Sequence, residues 1–504
     1  MTAIATTVDA EQRLYELWAE IRDLKSTEEL LDWDQETYLP AGGQGDRGTT
    51  QATLAALRHR LMCAPELSEV LSACAETADG GGELAAQVRV AQRYVDLERR
   101  IPESLAKALA KARSAGTVAW QRARAEADFS KFERELAELV ALRREEAAAL
   151  APGGSPYDAM LDRFEPGATE AALVPLFDSL GAALTPLLER VRDRGLEVDE
   201  SPVLGDFDPE GQRRLGVHAA TAFGFDFERG RLDATAHPFC VALTRSDVRL
   251  TWRWQRDDLR PALFGILHEA GHGLYEQGLP REWWRQPLGD PGSLGIHESQ
   301  SRLWENHVGR SEGFWRWLWP TFTDAFPEHA AGTDPAAMWA ALHTARPSLI
   351  RVEADEATYN QHVIVRFELE RRLFRGDLQV PELPEAWDAL YREVLGLSAP
   401  DAADGVLQDI HWSQGMFGYF PTYTLGSMIS AQLFAAAERD LGPQEDAFEA
   451  GEFSPLLAWL RDRIHRHGGR FPAAELVQTA TGRPLSADDL LRHLTSNLER
   501  AYDL

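Results

Sequence analysis

Two histidines four residues apart, His268 and His272, carry the clearest chemical signal in the sequence. They lie in the segment LFGILHEAGHGLYEQGLP, and Glu269 follows the first of them. On a helix, residues four apart share one face, so both imidazoles can bind one ion, and this H-E-x-x-H pattern is typical of zinc. Glu269 lies about 100° round the helix from His268, which leaves it able to accept a proton from water. The pattern predicts a zinc hydrolase site; the alternative is a chance spacing of two ordinary histidines.

The flanking residues predict the helix that such a site needs. The two aspartates at 257–258 are good capping residues, and Pro261 suits a first helical turn. Gly278, with a proline two residues later, predicts the end of the helix. Gly271 and Gly273 flank the second histidine, and each costs about 1 kcal/mol relative to alanine inside a helix. We therefore expect a close backbone approach there, for which tight helix packing is the simplest explanation.

A third ligand must come from elsewhere in the chain. Tyr275 and Gly278 stand where a metzincin would have glycine and histidine, which excludes that class. The downstream segment GIHESQSRLWENHVGR offers Glu298 and Glu305, which are seven residues apart and share a helix face. Spacing alone leaves both open as the carboxylate ligand. The alternative is a solvated helix that carries an ion pair between Glu298 and Arg302.

Most of the remaining sequence is typical of helices. Residues 237–254, HPFCVALTRSDVRLTWRW, are the exception, because apolar residues from Val248 to Trp254 alternate with polar ones. A period of two indicates a half-buried strand. We predict a mainly α protein with a small hairpin beside the metal site.

Composition narrows the class of protein and its partners. The chain has 504 residues with 44% hydrophobic and 26% charged residues, which suits a globular protein. A net charge of -28 makes nucleic acid and anionic membranes poor partners, and no apolar run approaches the roughly 18 residues of a membrane span. The first residues do not resemble a secretory signal, and the three cysteines are far apart. We therefore expect a cytoplasmic protein.

Several motifs in one order resemble the thermostable Taq-type metallocarboxypeptidases. Motifs of this kind begin in the segment LLDWDQETYLPAGG at 30–43 and extend to about residue 425, so the resemblance covers most of the chain. The six short motifs are HPF at 237–239, DVRLT at 247–251, HEAGH at 268–272, HESQ at 297–300, IRVEAD at 350–355 and GVLQDIHW at 405–412.

The resemblance implies zinc bound by His268, His272 and Glu298, with Glu269 as catalytic base. Imidazole and carboxylate ligands accept several divalent ions, so cobalt is a possible substitute. The resemblance thus favours Glu298 over the later glutamate as the third ligand. It also implies a largely helical fold with a long deep groove, similar to neurolysin and angiotensin-converting enzyme. Residues 1–504 would form one catalytic domain, with two helical lobes around the groove as one arrangement. Family members typically form homodimers, and they remove single residues from peptide C-termini with broad preference, usually sparing proline.

A carboxypeptidase must also recognise a terminal carboxylate, and arginine suits this because its planar fork matches a carboxylate. Arg351, in SLIRVEADEATY, is our candidate, and the family resemblance points to the same arginine. The alternative is a structural ion pair with Glu353, Asp355 or Glu356.

The tetrahedral intermediate needs oxyanion donors besides the metal. Tyr419 and Tyr423, in QGMFGYFPTYTLG, could each donate a phenolic hydrogen bond, and the wider helical zinc-peptidase superfamily favours Tyr423. His237 is a second candidate for this role or for binding the substrate backbone. The alternative for each tyrosine is core packing with a satisfied hydroxyl.

Two further sets of polar residues are candidates near the metal. Asp247 and Arg249 lie on the predicted strand, which could bind a peptide by adding to the sheet if it is an edge strand. Alternatively, the two side chains pair and brace the hairpin. Asp355 and Asp409 are candidates to accept the outer N–H groups of the ligand histidines.

Two other functions remain open at this point. An oligopeptidase of the same superfamily would cut internal bonds, so peptides with an amidated C-terminus discriminate it from a carboxypeptidase. A peptide-binding protein without catalysis is the other, and the intact H-E-x-x-H pattern argues against it.

Overall fold

The computed structural model describes residues 7–504, and its N-terminal part is helical. Four helices form this part: α1 (Thr7–Thr37), α2 (Gln44–Met62), α3 (Pro65–Thr77) and α4 (Glu83–Arg100). They share a small hydrophobic core that is separate from the main one and includes Leu14, Trp18 and Val95. The long α1 also packs against the sheet described below, so the N-terminal helices are joined to the part of the chain that carries the sheet.

Seventeen further helices of the described residues surround the main core. They are α5 (Glu103–Ala125), α6 (Ser130–Leu150), α7 (Pro156–Phe164), α8 (Glu170–Arg194), α9 (Pro209–Phe223), α10 (Arg260–Gly278), α11 (Leu294–Arg302), α12 (Glu312–Ala325), α13 (Pro327–Ala330), α14 (Pro335–Leu342), α15 (Glu356–Arg375), α16 (Leu383–Leu395), α17 (Pro421–Leu441), α18 (Glu445–Glu449), α19 (Ser454–Arg463), α20 (Ala473–Thr481) and α21 (Asp488–Tyr502). The predicted mainly α fold is confirmed. A single catalytic domain over residues 1–504 stays a prediction.

A three-stranded sheet interrupts the helices between α9 and α10. Its strands are β1 (Gly230–Ala234), β2 (Cys240–Thr244) and β3 (Asp247–Trp252), in the order β1-β3-β2. The predicted hairpin is β2 and β3, which pair antiparallel, and the sequence analysis missed β1, which pairs parallel to β3. Because β3 is the central strand, the prediction that a peptide adds to its edge is wrong.

The histidine-bearing helix α10 begins at Arg260 and ends at Gly278, close to the predicted limits. Leu259, not an aspartate, occupies its capping position, but the Arg260 backbone N–H donates to Asp258 Oδ1 at 2.8 Å. Thirteen of its nineteen residues are buried, and the two histidines lie on the part that keeps some exposure. The core therefore fixes the helix on most of its circumference and leaves the imidazoles accessible.

The two glycines beside the second histidine have packing reasons, as expected. A Cβ added at Gly271 would lie 2.6 Å from the carbonyl oxygen of Gln300 in α11. A Cβ at Gly273 would lie 2.6 Å from the ring of Phe225. Only glycine lets α10 approach its neighbours this closely.

Helix α8 is the one helix of the described residues that is long and apolar enough to cross a membrane by length and composition alone. Its buried residues recur every three or four positions, and it packs against α15 and α21. This is the pattern of a helix with one face against a protein core.

Candidate metal centre

Three side chains converge at one point. Glu298 Oε2 lies 3.6 Å from His268 Nε2 and 3.5 Å from His272 Nε2, and these three form the one group of potential metal ligands in residues 7–504. Zinc bonds of about 2.0–2.2 Å in a tetrahedron place neighbouring ligand atoms about 3.3–3.5 Å apart. The two distances from Glu298 match this separation, and all three donor atoms lie within 4.8 Å of one another, so the group suits a single zinc-sized cation.

Glu298 uses its two oxygens for different partners. Its Oε1 accepts a hydrogen bond from Arg302 Nε at 2.8 Å, whereas Oε2 faces the histidines. Burial alone would raise the pKa of Glu298, but the charges of His268 and Arg302 hold this pKa well below its usual range. The ion pair and the ligand geometry predicted as alternatives thus occur together.

Glu305 is placed behind the first histidine. α11 continues into a π-helical turn, Leu303–Val308, and this turn carries Glu305 to a hydrogen bond of 2.8 Å between its Oε2 and His268 Nδ1. Burial lowers the pKa of His268, but Glu298 and Glu305 raise it to about 9 overall. Glu305 therefore contacts the outer nitrogen of a candidate ligand and lies outside the candidate ligand group itself, the arrangement in which a carboxylate orients a histidine ligand.

The second histidine is oriented by a different chain of contacts. His272 Nδ1 lies 2.5 Å from His297 Nδ1, and His297 Nε2 lies 3.0 Å from Glu276 Oε1. Glu276 also pairs with the buried Arg245. The histidine of the HESQ motif thus contacts the candidate ligand His272 and is not itself in the candidate ligand group.

The prediction that Asp355 and Asp409 lie behind the histidines is wrong. Asp355 caps α15, where its Oδ1 accepts from the backbone N–H groups of Ala357 and Thr358. Asp409 lies between two arginines instead. The sequence predicts Glu305 only as an alternative ligand, because its seven-residue distance from Glu298 does not indicate the π-helical turn that places it behind His268.

Removing the carboxylate behind His268 tests its orienting role. We expect Glu305→Ala to weaken zinc affinity roughly 10–100-fold, because the imidazole loses the acceptor that fixes its ring and raises its basicity. Competition against a chelating dye measures this affinity. Glu353→Ala, which removes an exposed carboxylate outside the candidate ligand group, is the control and should leave the affinity unchanged. Equal affinities for all three proteins would contradict the role.

Glu269 is buried beside the cluster and keeps a free acceptor. Its Oε2 has no hydrogen-bond partner among the described residues. Burial raises the pKa of Glu269 to about 7, with the negative charge of Glu298 acting in the same direction. Such a carboxylate can hold or release a proton near neutrality.

Arg351 lies in a buried cluster of two arginines and one aspartate. Its Nε and Nη2 donate to Asp409 Oδ1 at 3.0 and 2.8 Å, and its Nη1 donates to the hydroxyl of Tyr359 at 3.0 Å. Arg366 Nε donates to the other oxygen of Asp409 at 2.7 Å. The structural pairing considered above therefore exists, but with Asp409. Two guanidinium groups share one carboxylate, which leaves one excess positive charge.

Of the acidic residues considered as alternative partners of Arg351, Glu356 instead lies 2.9 Å from His493. Tyr359 and Arg366 were not singled out from sequence, although Tyr359 ends the segment quoted for Arg351. The guanidinium of Arg302 lies 4.4 Å from the Tyr359 ring centroid. Tyr359 thus lies between the candidate metal site and the cluster of Arg351, Arg366 and Asp409.

The two candidate tyrosines, Tyr419 and Tyr423, lie together near the candidate metal site. Their rings are 5.4 Å apart, and the Tyr423 hydroxyl lies 3.3 Å from His411 Nε2. Burial and the charge of Glu298 raise the pKa of Tyr419 to about 12, so its hydroxyl remains a donor. His237 is exposed, and none of the described residues hydrogen-bonds to its ring.

The predicted pairing within the hairpin is present. Arg249 donates to both oxygens of Asp247 at 2.9 Å and stacks 4.1 Å from the ring centroid of Trp33 in α1. On the next position of the same face, Thr251 and Phe239 exchange hydrogen bonds that fix the HPF segment. These residues brace the sheet.

Comparisons with known proteins agree with this geometry. A family model described as carboxypeptidase Taq (M32) metallopeptidase matches residues 13–498. Thermostable carboxypeptidase 1 of Thermus thermophilus is 44% identical over 98% of this chain and 99% of its own, and that of Pyrococcus furiosus is 35% identical over 94% and 95%. The crystal structure of M32 carboxypeptidase from Deinococcus radiodurans R1 has a TM-score of 0.96 and 40% identity, covering 98% of this chain and 100% of that one.

Proposed function

The chain belongs to the carboxypeptidase Taq (M32) family and is a metallocarboxypeptidase, and from this premise we propose that it releases single C-terminal residues with broad preference, using zinc. The proposed ligands are His268, His272 and Glu298. The observation that carries the proposal is the convergence of their donor atoms, 3.5 and 3.6 Å apart, in a group that excludes Glu269.

Glu269 is proposed as the proton carrier. A zinc ion held by the three ligands would supply Lewis acidity to water and to the scissile carbonyl. Glu269, with its unpartnered oxygen, accepts the proton of the attacking water and passes it to the leaving amine. The hydroxyl of Tyr423 or Tyr419 donates to the oxyanion, and His237 is the further candidate for that donor or for the substrate backbone.

The substrate carboxylate is proposed to bind beside Arg351. The excess positive charge of Arg351, Arg366 and Asp409 is buried, where attraction to an anion is stronger than in water. A peptide C-terminus would neutralise it. Broad preference follows if recognition rests on this carboxylate and on the backbone rather than on a side-chain pocket.

The remaining assignments are part of the same proposal. Two imidazoles and a carboxylate suit zinc and also accept cobalt. The three cysteines are free in the structure, which is compatible with a cytoplasmic location. A homodimer is proposed on the family resemblance, and neither nucleic acid nor a membrane is proposed as a partner.

Metal depletion followed by a pair of substrates tests the proposal. We expect chelation to remove hydrolysis of a blocked dipeptide, and zinc or cobalt, added singly, to restore it. The same dipeptide with an amidated C-terminus should react at least about 10²-fold more slowly, since the buried positive charge is left unpaired. Hydrolysis of the amide at an undiminished rate would indicate an oligopeptidase, and activity that survives chelation would contradict the metal site.

A further inference from the structure

Helix α11 carries the third candidate ligand, Glu298, and packs between two other helices. At each contact the neighbouring helix has a glycine, so no side chain separates the two helices. α11 packs against α10 at Gly271 and against α17 at Gly426. A Cβ added at Gly426 would lie 2.3 Å from Glu298 Cγ, 2.6 Å from its Cβ and 3.1 Å from its backbone carbon. The three nearest atoms thus all belong to Glu298.

We propose that Gly426 is a positioning residue of the metal site, because the missing side chain leaves the space in which the Glu298 carboxylate reaches the two histidines. The inference rests on the ligand set proposed above. It assigns to α17 a part in metal binding although no α17 side chain is a ligand.

The conformation of Gly426 does not require glycine. It lies inside the regular helix Pro421–Leu441 and is not among the residues with positive φ. Alanine would be preferred there by about 1 kcal/mol on helix propensity alone. The contact with Glu298 is therefore the structural reason for a glycine.

Both ways of relieving an added methyl group disturb the site. Carbon atoms pack at about 3.5–4.0 Å, so a contact of 2.3 Å requires a shift of more than about 1 Å. If Glu298 moves, its oxygen leaves a ligand position whose distances tolerate about 0.2 Å. If α17 recedes, Tyr423 recedes with it, because residues three apart share a helix face.

The test is the zinc affinity of Gly426→Ala, measured with zinc alone against a chelating dye, beside the thermal unfolding of the metal-free protein. We expect affinity to fall roughly 10–100-fold, as for other residues that orient metal ligands. Wild-type affinity in a folded Gly426→Ala protein would overturn the inference.

Two glycine variants separate this effect from general damage. Gly313→Ala places a methyl group 2.3 Å from the backbone oxygen of Glu445, which is a matched clash away from the metal ligands. Gly181→Ala, inside α8, meets only an ordinary contact of 3.5 Å. Both should keep wild-type zinc affinity, whatever their melting temperatures. An equal affinity loss in Gly313→Ala would assign the effect to destabilisation and overturn the inference.

A Glu298→Gly background decides the case in which Gly426→Ala does not fold. There the two side-chain atoms nearest to the added methyl group are absent, so the substitution should lower the melting temperature much less than in the wild-type background. An equal loss in both backgrounds would overturn the inference. If the proposed function were wrong, the result would differ: the wild-type protein itself would bind no zinc or would hydrolyse peptides without zinc.

Discussion

Glu269→Gln is expected to lower kcat for a blocked dipeptide by roughly 10²–10⁴-fold while the protein binds zinc as before. General acid–base catalysis contributes about this factor. Glutamine keeps the shape of the side chain but cannot take up the proton of the attacking water. Because Glu269 lies beside the three proposed ligands and is not one of their group, the metal should remain. Steady-state kinetics with a parallel measurement of metal content checks both parts.

A matched control is available four residues beyond the end of the same helix. Glu282→Gln makes the identical chemical change at an exposed position and should leave kcat unchanged. If Glu269→Gln hydrolysed peptides at the wild-type rate, the base would have to be another group. If Glu269→Gln lost its metal as well, the loss of activity would be due to weaker metal binding and not to the loss of proton transfer.

The predicted parts of the site are those fixed by local sequence. The limits of α10 follow from Pro261 and Gly278, and the β2–β3 hairpin follows from the alternation that begins at Val248, because both patterns act over a few residues. β1 has no such pattern and forms by parallel pairing with a strand thirteen or more residues later. Its five residues, Gly230–Ala234, acquire their conformation from that partner.

The different positions of Glu298 and Glu305 relative to His268 could not be predicted from local sequence. Seven residues apart on a regular helix, they face the same side, and spacing could not separate a ligand from its support. In the structure the π-helical turn Leu303–Val308 begins between them, so Glu305 reaches the outer nitrogen of His268 and Glu298 the inner one. Such a turn is rare and has no simple sequence signal.

Contacts between residues that are distant in the sequence could not be predicted from it either. Asp409 meets Arg351 and Arg366, which are 58 and 43 residues away. Any of several acids near Arg351 satisfied the sequence argument, and only packing decides among them. The close contact between Gly426 and Glu298 is likewise a property of two packed helices, and neither helix's own sequence predicts it.

Arg351→Gln is expected to lower kcat/KM for peptides with a free C-terminus by roughly 30-fold to several-thousand-fold, the equivalent of a lost buried charge pair of about 2–5 kcal/mol. The substitution leaves Arg366 and Asp409 as a balanced pair, so the excess positive charge that would attract the substrate carboxylate disappears. Peptide amides carry no such charge and should lose little.

The ratio of kcat/KM for the free peptide to that for its amide is therefore the decisive readout. It should fall toward one in Arg351→Gln and stay at the wild-type value in Arg346→Gln, which removes an exposed arginine paired with Glu200. A purely structural role for Arg351, as a partner of Asp409 and Tyr359, predicts instead that both substrates suffer equally, with a lower melting temperature. Because the amide lacks only the charge, an unchanged ratio in Arg351→Gln would remove this arginine from substrate recognition and leave the cluster with a role in the fold alone.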